Sequence, residues 1–200
     1  MKIHEVHFLK SCTAPSQFPR YAHPEFAFLG RSNVGKSSLI NMLMRKKDLV
    51  KTGSRPGVTR TINFFLLNDA ISIADLPGFG YAKLPMEMRK TFLPLIKKYI
   101  STRANLKLAF LLIDIRRTPD DFEAEILSLL AGQKVPAAIT LTKSDKLSRN
   151  QRSLRVREIS ESLGVSRDAL FISSAKSGDG RREILGLINE YSRMTESAAD

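Results

Sequence analysis

The strongest constraint on this chain is the segment GRSNVGKSS, residues 30–38, which follows the apolar run EFAFLG and precedes an amphipathic run, SLINMLM. This order is typical of the strand, GxxxxGK[ST] loop and helix of a phosphate-binding P-loop. Gly30 and Gly35 let the backbone turn its N–H groups inward, and the following helix adds its positive dipole end. We expect Lys36 to reach the outer phosphates and the Ser37 hydroxyl to bind Mg²⁺. The segment therefore predicts a nucleoside triphosphate site.

Length and composition limit what else the chain contains. Two hundred residues fit a single domain, and we expect residues 1–24 to be an N-terminal strand and loop extension and 195–200 a frayed tail. No apolar run approaches the ~18 residues of a membrane span. The one cysteine, Cys12, allows no internal disulfide. We therefore expect a cytoplasmic protein without a membrane span, and a monomer.

The charge of the chain is strongly positive. Thirty-two Lys and Arg residues against twenty Asp and Glu give +12 at pH 7. Such an excess favours a polyanionic partner, either nucleic acid, a ribonucleoprotein or an acidic membrane surface. Arginines crowd one predicted helix and Arg181–Arg182 open another, although pairing with acids such as Glu158 would make the first a self-paired, solvated face. The arginines of the first helix are Arg149, Arg152, Arg155 and Arg157.

Strand-like and helix-like segments alternate along most of the chain. The predicted strands are 25–30, 61–68, 70–75, 107–114, 136–142 and 169–173, with a weaker pattern at 3–9. The predicted helices are 36–46, 86–102 with a kink at Pro94, one capped by Thr118-Pro119, 150–163 and 181–194. This alternation predicts an α/β fold of three layers, in which a mostly parallel six-stranded sheet has one antiparallel strand. Ligands of such sheets bind at the carboxyl ends of the strands.

The first polar signature at a strand end follows the run AISIAD. That strand ends in Asp75, which Leu76, Pro77 and Gly78 follow. A carboxylate at this position can hold Mg²⁺ through a water, and the Gly78 N–H can contact a γ-phosphate. A DxxG pattern alone is weak, so its position at a strand end after the Gly/Pro-marked loop 51–60 is what makes it informative.

The next two strand ends are predicted to bind the base. The first loop consists of Thr142, Lys143, Ser144 and Asp145. Guanine presents two neighbouring donors that one carboxylate accepts together, whereas adenine would leave Asp145 without either bond. The Lys143 stem is expected to lie along the base. The second loop, whose backbone N–H groups are predicted to reach the guanine carbonyl oxygen, consists of Ser173, Ser174, Ala175 and Lys176.

The loop 51–60 must contain the remaining metal ligand. An octahedral Mg²⁺ with two phosphate oxygens and the Ser37 hydroxyl has room for a further hydroxyl. Thr59 and Thr61 are the candidates, and each would otherwise be an ordinary β-branched strand residue. Spacing alone does not choose between them.

Together these motifs resemble a small GTPase domain of the translation-factor-related, TrmE-Era-EngA-EngB-septin-like class, and more narrowly the EngB family of bacterial GTPases. The resemblance covers about residues 3–193 and is carried by GRSNVGKSSLIN, RPGVTRTINFF, DLPGFGYAK, TKSD and SSAK. It implies GTP and GDP as ligands and Thr59 as the second hydroxyl ligand of Mg²⁺. It also implies a role in assembly of the large ribosomal subunit, associated with cell division and septation.

The complete predicted site has three parts. Catalysis is assigned to Lys36, Asn33 and Gly78. Metal binding is assigned to Ser37, Thr59 and Asp75. The nucleotide-binding residues are Gly30, Arg31, Ser32, Asn33, Val34, Gly35, Lys36, Ser37, Ser38, Gly57, Val58, Thr59, Arg60, Thr61, Asp75, Leu76, Pro77, Gly78, Thr142, Lys143, Ser144, Asp145, Ser173, Ser174, Ala175 and Lys176.

Two positions differ from Ras-like GTPases. Thr142 replaces the usual asparagine, which is expected to weaken hydrogen bonding inside its loop while leaving base selection to Asp145. Phe79 stands where Ras-like proteins carry the glutamine that orients the attacking water, so we expect slow intrinsic hydrolysis. Asn33 resembles the potassium-coordinating asparagine of cation-activated relatives, so K⁺ is a further candidate ion in place of an arginine finger. Weaker candidates for such a finger are Arg55, Arg60 and Arg116–Arg117.

Two other functions remain open from the sequence. A P-loop small-molecule kinase would need a phosphoryl-acceptor site and an arginine-rich lid, neither of which the sequence indicates. A basic RNA-binding module that uses GTP only structurally would show no regulated turnover. We favour a GTP-hydrolysing switch whose loops order around the γ-phosphate and control a ribosomal partner, the large subunit or its RNA.

Overall fold

The computed structural model describes residues 1–50, 61–79 and 86–194. The strands are β1 (Val6–Cys12), β2 (Glu25–Gly30), β3 (Ile62–Leu67), β4 (Ile71–Asp75), β5 (Leu106–Asp114), β6 (Ala137–Thr142) and β7 (Leu170–Ile172). The helices are α1 (Lys36–Met44), α2 (Met86–Thr102), α3 (Asp121–Gly132), α4 (Arg149–Leu163) and α5 (Arg181–Arg193). The strands form one sheet in the order β1-β3-β4-β2-β5-β6-β7.

Among the described strands, β3 alone runs opposite to the rest. It pairs antiparallel with β1 and β4. The other neighbouring strands of the sheet, β4, β2, β5, β6 and β7 in that order, pair in parallel. The predicted fold class is therefore confirmed, but the predicted count of six strands is wrong, because the sheet has seven. The additional strand is the edge strand β1, which lies at Val6–Cys12 rather than at 3–9. Only its two end residues are buried, so it lacks the apolar alternation that identifies a strand.

Residues of the central strands alternate between two apolar cores. Phe26 and Phe28 of β2 pack with α1 and α5, and Phe28 stacks on Phe110 with 4.8 Å between ring centroids. Ala27 and Leu29 belong to a second cluster with α2 and α3. A third cluster packs α4 against β6. Because helices cover both faces of the sheet, polar side chains converge in the loops at the carboxyl ends of the strands.

The start of α3 differs from the prediction. The N-cap is Asp120 rather than Thr118, and its carboxylate accepts the Phe122 N–H at 3.0 Å. Glu123 accepts the Asp120 N–H at 3.1 Å, which completes a capping box. Asp is a somewhat better N-cap than Thr, and the reciprocal bond from a glutamate three residues later further favours Asp120.

The helix α2 passes through Pro94 without interruption. A proline inside a helix removes one backbone hydrogen bond and costs about 3 kcal/mol. The buried side chains of Ile96, Tyr99 and Ile100 lie after it on this helix, and burial of such side chains offsets that loss. In the described part of the chain, no helix is both long and apolar enough to cross a membrane.

The amino end of β2 is held by a buried carboxylate. Glu25 is fully buried and accepts hydrogen bonds from the hydroxyls of Tyr21 and Tyr99 at 2.8 Å each. Arg103 donates to both Glu25 oxygens at 2.8 and 2.7 Å and to the Pro19 carbonyl at 2.9 Å. Burial, followed by the charge of Glu25, raises the pKa of Tyr99 well above its usual value. This network ties the N-terminal loop and the end of α2 to the sheet.

Candidate nucleotide-binding site

A tight loop connects β2 to α1. Asn33 has a φ of +64° and Gly35 one of +105°, a region that glycine adopts without strain. Gly30 is packed so closely that a Cβ there would lie 2.9 Å from the Leu112 carbonyl oxygen. Gly35 is the N-cap of α1, so the loop ends at the positive end of the helix, where proteins bind phosphate groups.

Two groups of opposite charge meet beside this loop. The Lys36 ammonium pairs with the Asp75 carboxylate at the end of β4, and only 11% and 5% of the two side chains are exposed. The other Asp75 oxygen accepts a longer bond, 3.4 Å, from the Asn63 amide. Ser37 lies next to Lys36 in the first turn of α1. Carboxylate and hydroxyl oxygens are the ligands that Mg²⁺ prefers, so these residues fit the predicted ion.

The segment after β4 lies along the P-loop as a short parallel bridge. The Ser32 N–H donates to the Phe79 carbonyl at 2.7 Å, and the Phe79 N–H donates to the Gly30 carbonyl at 3.2 Å. A Cβ on Gly78 would lie 3.2 Å from Ser32, so a larger residue would push the two loops apart. Gly78 therefore lies directly against the P-loop, and the contact of its N–H with a γ-phosphate stays a prediction.

The Phe79 ring is packed in the core. It is 2% exposed and stacks on Phe122 of α3 with 4.4 Å between ring centroids. Both rings belong to the cluster that α2 and α3 form with the sheet. A buried phenyl ring offers no polar atom to a water molecule, so this position contributes nothing to orienting a nucleophile.

Two side chains join the loop after β6 to the P-loop. Thr142 is buried and donates its hydroxyl to the Val34 carbonyl at 2.6 Å. Lys143 donates to the Asn33 carbonyl at 2.6 Å, and its ammonium lies 3.1 Å from the Asp114 carboxylate. The same Oγ1 of Thr142 also lies 3.3 Å from the Ile113 carbonyl oxygen, but a hydroxyl has one proton and cannot donate two full bonds as an asparagine amide can. The loop predicted to bind the base is thereby held against the P-loop.

Asp145 is oriented by a serine from the neighbouring loop. Ser174 donates its hydroxyl to Asp145 Oδ1 at 2.7 Å and accepts the N–H groups of Lys176 and Ser177 at 3.2 Å each. The bond from Ser174 is the largest influence on the pKa of Asp145, which is lowered. The carboxylate is therefore charged at neutral pH and acts only as an acceptor. The sequence predicted only a backbone role for Ser174. Its side chain also orients Asp145, through a contact between two loops that the sequence does not indicate.

A cleft of about 410 Å³ lies between the P-loop, the end of β5 and the start of α3. On its wall, Arg116 donates to both oxygens of Asp114 at 2.9 and 2.7 Å. Burial raises the pKa of Asp114, but the bonds from Arg116 and Lys143 outweigh it and lower the pKa to about 2. Arg116, a candidate arginine finger, is thus engaged with Asp114 in this structure.

Arg31 connects the P-loop to α3. It pairs with Asp120, and its guanidinium lies 3.8 Å from the Glu123 carboxylate. Burial, and then the hydrogen bond with Asp120, raises the pKa of Glu123 to about 7. The same bond, more than the contact with Arg31, lowers the pKa of Asp120 to about 2. The sequence did not indicate either acid, because 89 positions separate Arg31 from Asp120.

The remaining predicted residues differ in whether the structure describes them and in how far they are buried. Outside the described residues lie Gly57, Val58, Thr59 and Arg60, together with the rest of the loop 51–60 and the tail 195–200. Thr61 is described, and its hydroxyl donates to the Asn63 side chain at 3.4 Å. Leu76 and Ser173 are fully buried, and the Ser173 hydroxyl donates to the Asp179 carbonyl at 3.0 Å. Exposed positions are Ser38, Ala175 and Lys176, and buried ones are Pro77 and Ser144.

The sequence matches known GTP-binding proteins over most of its length. Residues 25–143 match the family model described as 50S ribosome-binding GTPase. The chain is 44% identical over 184 residues to a probable GTP-binding protein EngB of Geobacter metallireducens, covering 92% of this chain and 90% of that one. It is 45% identical over 181 residues to that of Desulforapulum autotrophicum, with 90% and 93% covered.

Solved structures agree with the sequence match. A crystal structure of a probable GTP-binding protein engB has a TM-score of 0.72 at 31% identity, covering 85% of this chain and 99% of that one. The G domain of the T. maritima FeoB iron transporter has a TM-score of 0.53 at 23% identity, with 84% and 98% covered, and shares the fold. This chain therefore belongs to the EngB family of P-loop GTPases.

Proposed function

We propose that this protein is a slowly hydrolysing GTP switch in assembly of the large ribosomal subunit. The nucleotide part of the proposal rests on the contacts that join the Asp145 loop to the P-loop. Asp145 is held as a charged acceptor, while Thr142 and Lys143 tie its loop to the P-loop. The family description supports the ribosomal part, as does the net charge of +12, which suits an RNA partner. Through that role the protein would act in the cytoplasm and support cell division and septation.

The residues beside the P-loop have separate roles in this proposal. Lys36 exchanges its contact with Asp75 for the β- and γ-phosphates. Mg²⁺ would neutralise charge on those phosphates, held by Ser37, by Asp75 through a water, and by Thr59. Asn33 is the residue that would contact a K⁺ ion.

Slow intrinsic hydrolysis follows from the burial of Phe79. Its ring lies in the core and offers the attacking water no polar atom, so other groups must position that water, among them the Gly78 backbone and groups of a partner. Either a ribosomal partner or K⁺ at Asn33 would add the missing electrostatic stabilisation. Single-turnover hydrolysis should be faster in potassium than in sodium buffer. Equal rates would remove K⁺ from the proposal, and Ras-like rates in sodium would contradict slow hydrolysis.

Calorimetric titration with GTP and ATP tests the nucleotide part. We expect ATP to bind at least about 100-fold more weakly, because adenine leaves the Asp145 carboxylate without its two donors. Asp145→Ala should abolish the preference. Lys146→Ala is the matched control, since its ammonium lies 3.8 Å from the same carboxylate. Similar dissociation constants for both purines, or a guanosine preference that survives Asp145→Ala, would contradict the assignment.

Co-sedimentation with large ribosomal subunits tests the ribosomal part. Binding is compared with GTP, with GDP and without nucleotide across a salt series. Binding that depends on GTP, with phosphate release stimulated by the subunit, supports the switch. Binding that is equal with GTP, with GDP and without nucleotide, and that stimulates no phosphate release, favours a basic RNA-binding module that uses GTP structurally.

A further inference from the structure

The helix α4 carries four arginines, but most of them are engaged with acids. Three of its arginines have acidic partners, and Arg155 also donates to the Ile115 carbonyl at 2.9 Å. The pairs are Arg155–Glu158, Arg157–Glu161 and Arg152–Asp179. Two of these pairs lie within α4, as the self-paired interpretation requires, whereas Asp179 lies just before α5. The charge that could meet a polyanion lies elsewhere on the molecule.

Cations gather where the end of α1 meets the start of α5. We define the α1–α5 basic patch by position in the fold, as Arg45 and Lys47 from the turn after α1 and Arg181 and Arg182 from the first turn of α5. Arg45 and Lys47 are exposed on the turn after α1, and Arg182 is exposed in the first turn of α5. Arg181 reaches back to α1 and donates to the Leu43 carbonyl at 2.7 Å. The patch therefore spans two helices that are far apart in sequence.

The patch holds like charges close together. Burial, and then the charge of Arg45, lowers the pKa of Arg181, so the two guanidinium groups repel each other. Within residues 1–50, 61–79 and 86–194, no carboxylate forms an ion pair with the exposed members of the patch, although Asp48 and Glu183 are close in sequence. An anion placed between such cations relieves their repulsion.

The backbone below the patch is ordered. Arg45 ends α1 with a φ of +50°, and its N–H bonds to the carbonyls of Asn41 and Met42. The Asn41 side chain accepts the Val50 N–H at 2.8 Å and donates to the Val50 carbonyl at 2.9 Å, which closes the turn. Side chains on a fixed backbone lose less conformational freedom when they bind a partner.

We propose that the α1–α5 basic patch is the surface that docks on the phosphate backbone of RNA, an inference that rests on the proposed ribosomal function. Arginine presents a planar fork that grips phosphate with two bonds, and Lys47 adds a point charge. Because every member of the patch is a cation, it binds by charge and not by base sequence. α1 also carries Lys36, so RNA docked here contacts the helix that starts at the nucleotide site.

The test measures binding of the full chain, loaded with GDP, to a fragment of large-subunit ribosomal RNA over a salt series. The patch variant carries Arg45→Gln, Lys47→Gln and Arg182→Gln. It should bind at least about 10-fold more weakly and reduce the slope of log affinity against log salt by about 2 to 3, since each phosphate contact contributes about 0.7 to 0.9. Arg181 is left unchanged because it bonds to α1.

A matched control removes the same charge near α4 through Arg149→Gln, Arg157→Gln and Arg167→Gln, all exposed positions. It should leave the slope within about 1 of wild type. Equal effects of the two variants on RNA binding, or a larger effect of the control, would contradict the proposal that RNA docks on the patch. GTP affinity of both variants shows that they are folded.

Two further outcomes separate this inference from the proposed function. Wild-type protein that binds no RNA contradicts the ribosomal function and the patch together, whereas unchanged RNA binding by the patch variant contradicts the patch alone. Vesicles containing anionic lipid are a second probe. If the patch variant loses vesicle binding but keeps RNA binding, the surface meets a membrane and the RNA assignment is wrong.

Discussion

Two buried ion pairs at opposite ends of the sheet differ in how completely their groups are satisfied. At the amino end of β2, Glu25 receives two bonds from Arg103 and the hydroxyls of two tyrosines. At the carboxyl end of β4, Asp75 has Lys36 and one long bond, 3.4 Å, from Asn63. Both carboxylates are almost fully buried, so burial alone does not distinguish them.

The difference separates a structural pair from a functional one. Glu25 is surrounded by donors and has little capacity left for a ligand, so its network holds elements together. Lys36 has three donors, and only the contact with Asp75 engages it within the described residues. Under the proposed function, Lys36 turns to phosphate and Asp75 to a metal. We expect the first pair to govern unfolding and the second to govern nucleotide binding.

The largest expected effect is that of Arg103→Met on stability. It leaves the Glu25 carboxylate buried without its cation, which should lower the free energy of unfolding by about 3–5 kcal/mol. GTP affinity of the folded protein should stay within about 2-fold of wild type, because the site lies at the other end of the strands. Urea unfolding and calorimetry measure the two quantities. Lys97→Met, from an exposed pair with Glu125, is the control and should cost less than about 1 kcal/mol. An Arg103→Met loss as small as the control's would refute the contrast.

The second effect is that of Lys36→Met on nucleotide binding. Loss of the charged bonds to phosphate should weaken GTP binding by about 2–3 kcal/mol, or roughly 30- to 150-fold. GDP should lose less because it lacks the γ-phosphate. Titration calorimetry gives both values, with Lys47→Met as the surface control. If Lys36→Met destabilised the fold more than Arg103→Met does, the assignment of the two pairs would have to be reversed.

A smaller effect is expected where the two halves of the site are joined. Thr142→Val keeps the shape but leaves the Val34 carbonyl without its donor, so both GTP and GDP should bind more weakly by about 1–2 kcal/mol. Selectivity over ATP should persist because Asp145 is unchanged. Thr140→Val is the control on the same strand, since within the described part of the chain its buried hydroxyl has no hydrogen-bond partner. Equal affinities of the two variants would show that the link is dispensable.

The smallest effect is a pH dependence from Glu123. Its pKa is raised from 4.5 to about 7, so the folded state binds this proton more tightly than the unfolded state does. The resulting stabilisation is complete below about pH 4.5 and is lost as the pH rises through 7. Between pH 6 and 8 the free energy of unfolding of the wild type should fall by about 1 kcal/mol relative to that of Glu123→Gln. Urea unfolding at three pH values measures this, with Glu125→Gln as the exposed control, and parallel profiles for all three proteins would contradict it.

Particular residues show which features of the structure the sequence patterns predicted and which they did not. The bounds of β2 were predicted correctly because its apolar run ends in a glycine that the P-loop requires. β1 was missed in the strand count, since an edge strand with an exposed middle carries little apolar pattern. The contact between Thr142 and Val34 joins positions 108 residues apart, and no local pattern indicates which distant side chains meet. The alternatives for the arginines of α4 could likewise be resolved only by their distances to acids.

The amino-acid sequence by itself determined the fold class, the phosphate-binding loop and the acid predicted to select the base. Each of these depends on residues that are neighbours in the chain, where spacing and residue type carry the information. Only the tertiary structure decided which charges are engaged. It pairs three of the four arginines of α4 with acids, surrounds Glu25 with donors and leaves the exposed cations of the α1–α5 basic patch without acidic partners among the described residues. Charge pairing depends on distances of a few ångströms between residues that only folding brings together.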